Sequence, residues 1–125
     1  MWCTNKASAL TQRPTRFGET RAICDNGLMQ FEIFPVTAFQ QNCSLVVCPS
    51  TQKAAFIDPG GDIEHLQAVA RQAQVQIEKI LLTHGHIDHC GQAGLLAQQL
   101  HVPIEGPHRD DRFWIEQLKT QGMMF

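Results

Sequence analysis

The feature that most constrains this chain is a histidine-rich run, T-H-G-H-I-D-H-C-G, from Thr83 to Gly91. Neutral imidazole is the commonest protein ligand of zinc and a frequent ligand of iron. In an extended segment residues i and i+2 point to the same side, so His84 and His86 can grip one ion. Asp88 and His89 come next, as the chain turns into a helix, and can reach a second ion. We therefore predict these four residues to be metal ligands.

A pair of metal ions at this run would support hydrolysis. A bound cation lowers the pKa of water to about 7 and supplies hydroxide at neutral pH. Two ions about 3.5–4 Å apart can bridge that hydroxide and also polarise a carbonyl. Asp88 would orient the hydroxide as well as bind metal, so we predict it as the catalytic residue. The ligand types suit zinc, with iron or manganese as alternatives.

The histidines also allow other interpretations. The run could be a surface loop, or a closed structural zinc site, which would normally recruit cysteines in pairs, whereas only Cys90 is near. A metal-storage or sensor module would need further ligands with clear spacing, and the sequence offers none. We interpret His65 as a solvated residue in the first turn of a helix, His101 as the end of a helix and His108 as part of a turn.

Hydrophobic periodicity predicts the order β-β-β-α-β-α-β-α, an α/β layered plan. Pro35 restricts the first strand to an edge position, and Asp62 is predicted to be the N-cap of the first helix. Residues 1–28 show neither a helical nor a strand period of apolar residues. We expect them to be a disordered or non-native extension, with Met29 as an alternative first residue of the protein. The predicted strands lie near residues 29–33, 43–48, 54–58, 79–83 and 102–104, and the helices near 62–73, 93–100 and 110–118.

Composition and charge narrow the partners. The formal net charge is −2 at pH 7, which gives no electrostatic case for nucleic acid or an anionic membrane. There is no apolar run long enough for a membrane span and no secretory signal, although a mitochondrial transit peptide is an alternative for the Arg- and Thr-rich start. The five cysteines form no C-x-x-C pair. We therefore expect a chain with reduced cysteines in the cytoplasm. The sequence does not give the oligomeric state.

The histidine-rich run resembles the metal motif of the metallo-β-lactamase superfamily, and within it that of the glyoxalase II-like hydrolases. The resemblance implies the N-terminal half of an αββα sandwich. It implies that His84 and His86 bind the first metal and that Asp88 and His89 bind the second. Asp58 matches a position behind the site, where it either hydrogen-bonds to the motif loop or is a plain strand-end turn residue. The resemblance covers about residues 29–125, with supporting segments at 35–43, 57–62, 102–107 and 110–114.

The family pattern also contains three ligands that have no counterpart here: a third histidine, a bridging aspartate and a last histidine. We therefore expect residues 29–125 to be a truncated domain, inactive or weakly active alone. The parent protein is interpreted as a hydroxyacylglutathione hydrolase-like enzyme that cleaves a small acyl thioester with metal-bound hydroxide and two zinc ions. The alternatives are a non-catalytic metal-binding remnant and a superfamily hydrolase with a different substrate.

Overall fold

The structure, a computed structural model, describes residues 29–124. Within that range the strands form one five-stranded sheet in which spatial order follows chain order. The first three strands run antiparallel, and the third, fourth and fifth run parallel. The predicted extension at residues 1–28 lies outside the described residues, so the boundary at residue 29 stays a prediction. The strands are β1 (Gln30–Val36), β2 (Gln41–Cys48), β3 (Lys53–Ile57), β4 (Gln76–Leu81) and β5 (Ile104–Glu105).

Helices separate the parallel strands and follow the last one, which confirms the predicted α/β class. They are α1 (Ile63–Ala73), α2 (Ile87–Cys90), α3 (Ala93–Leu100), α4 (Arg112–Glu116) and α5 (Leu118–Met124), with a 3-10 turn at Arg109–Asp111 before α4. A helix between parallel strands is the usual crossover, because such strands cannot be joined by a short hairpin. No helix within the described range has the length and apolar character needed to cross a membrane.

A single core joins one face of the sheet to α1 and α3. Both helices place apolar residues on one side, and alternate residues of the central strands meet them. Burying each large apolar side chain stabilises the fold by about 1.5–3 kcal/mol. This packing fixes where β3 and β4 end, and the histidine-rich run begins just after β4. The fully buried side chains include Phe56 and Ile80 from the sheet, and Leu66 and Leu96 from the helices.

One local prediction is confirmed in position only, and another is wrong. Asp62 stands at the N-cap position of α1, but it makes no side-chain cap hydrogen bond. Its carboxylate instead accepts a hydrogen bond of 2.8 Å from the backbone N–H of Thr37, tying the loop after β1 to the start of α1. The single helix predicted at residues 110–118 is divided into the 3-10 turn, α4 and α5. Pro35 does lie in an edge strand, as predicted, since β1 pairs only with β2 in the described sheet.

The prediction of reduced cysteines holds for Cys43 and Cys90, which are free and buried. It is wrong for Cys48, which is disulfide-bonded. Burial of Cys43 in β2, with a smaller contribution from the negative charge of Asp58, raises the pKa of its thiol from 9.0 to about 12.

The raised pKa of Cys43 makes the metal-free chain lose stability in alkali. Between the unfolded pKa near 9.0 and the folded pKa of about 12, the unfolded chain releases a proton that the folded chain keeps. The free energy of unfolding should therefore fall, by about 1.4 kcal/mol per pH unit from this thiol. Urea unfolding at about pH 8 and about pH 10 measures the change. The free energy of unfolding of Cys43→Ala should fall less steeply with pH than that of wild type. Equal slopes would contradict the raised pKa assigned to Cys43.

Candidate metal centre

The histidine-rich run lies at the carboxyl end of two parallel strands. The parallel pairing of β3 and β4 extends to Ile57 and Leu81, so the segments after them start side by side. Open α/β sheets place their binding sites at this edge, where loops diverge. The chain after β4 passes through an extended loop to His86 and then enters α2. Residue Asp58, immediately after β3, faces this loop.

The four predicted ligands lie together. The ring centroids of His84 and His86 are 4.7 Å apart, and those of His84 and His89 are 4.1 Å apart. Asp88 Oδ2 lies 3.5 Å from His89 Nε2. The structure therefore brings the four side chains into one continuous cluster, and their role as ligands stays a prediction.

Asp58 is hydrogen-bonded to the motif loop, which decides between the two interpretations left open by the sequence. The residue is 5% exposed. Its Oδ1 accepts from the Thr83 backbone N–H at 2.8 Å, and its Oδ2 accepts from the Thr83 hydroxyl at 2.6 Å. Oδ2 also lies 3.1 Å from His89 Nδ1. A buried carboxylate needs such partners, because desolvating an unpaired charge is costly.

Asp58 also belongs to a group of possible metal ligands in the described range, in which ligand atoms of Asp58, His84 and His89 lie within 4.8 Å of one another. Distance alone would make it a ligand. However, three hydrogen bonds already occupy its two oxygens. We therefore assign Asp58 to orienting the histidines, a common role for carboxylates behind metal ligands.

The hydrogen bonds of Asp58 fix the protons of two histidines. A carboxylate can only accept, so His89 Nδ1 carries the proton in their contact. The Thr83 hydroxyl has a single proton, which it donates to Asp58. The 2.9 Å contact between Thr83 Oγ1 and His84 Nδ1 must then be donated by His84. Neutral His84 and His89 both therefore present an unprotonated Nε2, the form that binds metals.

This proton arrangement leaves two neighbouring acceptor atoms that suit a bound cation. The unprotonated Nε2 of neutral His89 lies 3.5 Å from the carboxylate Oδ2 of Asp88. A cation beside both acceptors would relieve their repulsion, and a metal ion there would be bound by both atoms. Imidazole and carboxylate donors are the usual set for zinc, iron and manganese. The residues present thus fit a divalent metal ion.

Backbone contacts hold the loop in this shape. An added Cβ at Gly60 would lie 1.8 Å from the carbonyl oxygen of Asp88, so the turn after β3 packs directly on α2. The Cys90 thiol donates to the His86 carbonyl at 3.1 Å. Burial, together with the charges of Asp58 and Asp88, raises the pKa of the Cys90 thiol to about 11. Cys90 therefore supports the loop as a neutral donor.

The remaining histidines stand elsewhere, as predicted. His65 contacts Phe34 edge-on with ring centroids 6.2 Å apart, and His101 caps the C-terminus of α3 in a left-handed conformation. His108 accepts a hydrogen bond from the Asp110 backbone N–H. Within residues 29–124 none of the three joins the hydrogen bonds and ring contacts around His84.

Sequence reasoning missed two residues of the site. Thr83 directly precedes His84, and its position between a buried strand and the first histidine was the available signal. Trp114 of α4 contacts the ring of His86 with centroids 4.6 Å apart. Its sequence signal was only an apolar position in an amphipathic segment.

Comparisons with known proteins identify the family of this chain. Residues 36–125 match the family described as the Metallo-beta-lactamase superfamily. Hydroxyacylglutathione hydrolase GloC of Haemophilus influenzae is 45% identical over 97 residues, which cover 78% of this chain and 45% of that protein. A hydroxyacylglutathione hydrolase of Nitrosomonas europaea is 41% identical over 75 residues, covering 60% of this chain and 28% of that protein.

Solved structures show the same fold. The crystal structure of the BLEG-1 B3 metallo-beta-lactamase superposes with a TM-score of 0.62 at 31% identity, over 67% of this chain and 39% of that one. The structure of TTHA1623 in a di-iron-bound form gives a TM-score of 0.53 at 32% identity, over 58% of this chain and 36% of that one. The chain spans less than half the length of each of these four proteins.

Proposed function

Because this chain belongs to the metallo-beta-lactamase superfamily, we propose that it carries part of the metal centre of a glyoxalase II-like hydrolase that cleaves an acyl thioester. The observation that carries the proposal is the cluster of His84, His86, Asp88 and His89, in which the buried carboxylate of Asp58 contacts His89 directly and His84 through Thr83. A solvated surface loop does not require a buried carboxylate that fixes which ring nitrogen of each histidine carries the proton. The proposed location is cytoplasmic.

Each ligand has a proposed place. His84 and His86 would hold one ion, and Asp88 and His89 a second, with zinc proposed at both and iron or manganese as alternatives. Divalent ions at such sites lower the pKa of water and polarise carbonyl groups. Asp58 and Thr83 keep protons on the Nδ1 atoms of His84 and His89, leaving each Nε2 free to coordinate.

Asp88 is proposed as the catalytic carboxylate. Its side chain is partly exposed and, within the described residues, makes no hydrogen bond beyond its approach to His89. It is therefore free to accept a hydrogen bond from the attacking water and to hold it against the substrate carbonyl. A partly exposed carboxylate beside the histidines also leaves the site accessible to a small molecule.

The substrate class rests on the relatives' names. Two relatives are named hydroxyacylglutathione hydrolase, which points to a thioester of glutathione as the small-molecule substrate. The structural relative called a B3 metallo-beta-lactamase makes a β-lactam the second candidate. Metal binding without catalysis is the third candidate function.

The test is hydrolysis by the purified chain with zinc or iron(II) added. We expect release of glutathione thiol from an S-(2-hydroxyacyl)glutathione, weak but above that of the matched variant His84→Ala/His86→Ala. A chromogenic cephalosporin serves as the β-lactam comparison. Equal thiol release by the two proteins would contradict catalysis by this chain. Preferential opening of the cephalosporin would replace the thioester proposal by the β-lactam one.

A further inference from the structure

The three histidines of the cluster are held in different ways. His84 and His89 each have an Nδ1 partner, in Thr83 and Asp58 respectively. The His86 ring makes no side-chain hydrogen bond within residues 29–124, and the residue is exposed. An exposed side chain without a partner samples several rotamers, which weakens a ligand by the entropy lost on binding.

Trp114 provides a partner for the His86 ring. The indole meets the imidazole edge to face, with centroids 4.6 Å apart and planes at 82°. Such T-shaped contacts are a favoured arrangement of aromatic rings. His86 also meets the ring of His84 edge to face, at 4.7 Å. The His86 ring therefore contacts both an indole and an imidazole.

The chain segment 109–124, which we call the C-terminal arm, is itself fastened to the motif. At Gly85 an added Cβ would lie 2.8 Å from Trp114 Cβ, so only a glycine lets the arm approach this closely. The side chain of Gln121 accepts from the Ile87 N–H and donates to the Trp114 carbonyl, both at 3.0 Å. These two bonds link the start of α2 to α4 and set the position of the indole.

We propose that Trp114 is a positioning residue that holds the ring of His86 in its metal-binding orientation. The proposal rests on the proposed function only in taking His86 as a ligand. Phe113, the neighbouring aromatic residue, contacts Trp114 but is half exposed and has no ring contact with a histidine in the described range. Phe113→Ala is therefore the matched control.

The first experiment uses the metal-free chain, so that it does not depend on metal binding. Long-range 1H–15N spectra of the histidine rings report the ring-current shift that the indole imposes on His86. We expect Trp114→Ala to remove that shift and Phe113→Ala to keep it. Gln121→Ala should also reduce the ring-current shift, because it loosens the C-terminal arm and leaves the indole intact. This variant tests the proposal if Trp114→Ala does not fold. Unchanged His86 signals in the folded variants would overturn the proposal.

The second experiment measures zinc affinity by competition with a chelator. Trp114→Ala should bind zinc about 10-fold more weakly than wild type, a usual effect of losing a residue that orients a ligand. Trp114→Phe, which keeps an aromatic face, should recover most of the affinity, and Phe113→Ala should match wild type. Equal affinity in Trp114→Ala and wild type would overturn the proposal. A wild-type chain that binds no zinc would instead count against the proposed function, and the His86 spectra would still decide the role of Trp114.

Discussion

Asp58→Asn should bind zinc about 10- to 100-fold more weakly than the wild-type chain, the range typical for losing a residue behind a metal ligand. The change keeps the size of the side chain and removes its charge. Asp58 accepts three hydrogen bonds, from Thr83 twice and from His89 once. An asparagine offers only one acceptor oxygen, so at least one of these donors must face an NH2 group.

Either orientation of the amide harms the site. With the NH2 group toward the Thr83 backbone N–H, two donors face each other in a buried place. With the NH2 group toward the Thr83 hydroxyl and His89, Thr83 Oγ1 and His89 Nδ1 both accept hydrogen bonds from the amide. The Thr83 hydroxyl then donates its proton to His84 Nδ1. The protons of neutral His84 and His89 move to Nε2, where they block coordination.

Chelator competition measures the zinc affinity, and urea unfolding of the metal-free variant measures its stability. Asp110→Asn is the control, because the Asp110 side chain is highly exposed and its ion-pair partner in the described range is the exposed His108. We expect the control to match wild type in both measurements. Zinc affinity of Asp58→Asn within about threefold of wild type would show that Asp58 does not set the histidine protons.

Gly60→Ala should lower the free energy of unfolding by about 3 kcal/mol, the upper part of the usual range for overpacking. The new methyl group would lie 1.8 Å from the Asp88 carbonyl oxygen and 2.5 Å from its carbonyl carbon. These are backbone atoms, so the turn after β3 or helix α2 must shift to make room. The shift moves Asp88 and His89, and zinc binding should weaken along with stability.

The matched control for this change is Gly94→Ala in α3, where an added Cβ meets no atom within 4 Å. Alanine favours a helix over glycine by about 1 kcal/mol, so the control should be as stable as wild type or more so. Urea midpoints of the three proteins make the comparison. Equal destabilisation at both positions would mean that the contact between the turn and α2 is not what constrains Gly60.

The cluster of predicted ligands could be predicted from sequence because its members are local. His84, His86, Asp88 and His89 lie within one extended-to-helical segment, and backbone geometry alone places their side chains together. The hydrophobic periods likewise predicted the order of strands and helices. Asp58 was named as a candidate because it ends a strand, but its partners depend on the parallel pairing of β3 with β4, which the sequence does not state.

Contacts between distant segments could not be predicted. The role of Trp114 depends on where the C-terminal arm crosses the motif, and a period of apolar residues says only that a face is buried. Asp62 fitted the N-cap preference, yet its carboxylate bonds to the Thr37 N–H, because the loop after β1 passes over the helix start. In both cases the tertiary approach of two distant segments decided which partner a side chain took.

The measurement that tests the central claim most directly is the zinc and iron content of the purified chain after dialysis against each metal. The matched variant His84→Ala/His86→Ala removes two proposed ligands and leaves Asp58 and Thr83 in place. The account predicts metal bound by the wild-type chain and lost from the variant. Equal metal content in the two proteins, or none in either, would contradict the claim that His84, His86, Asp88 and His89 form a metal centre in this chain.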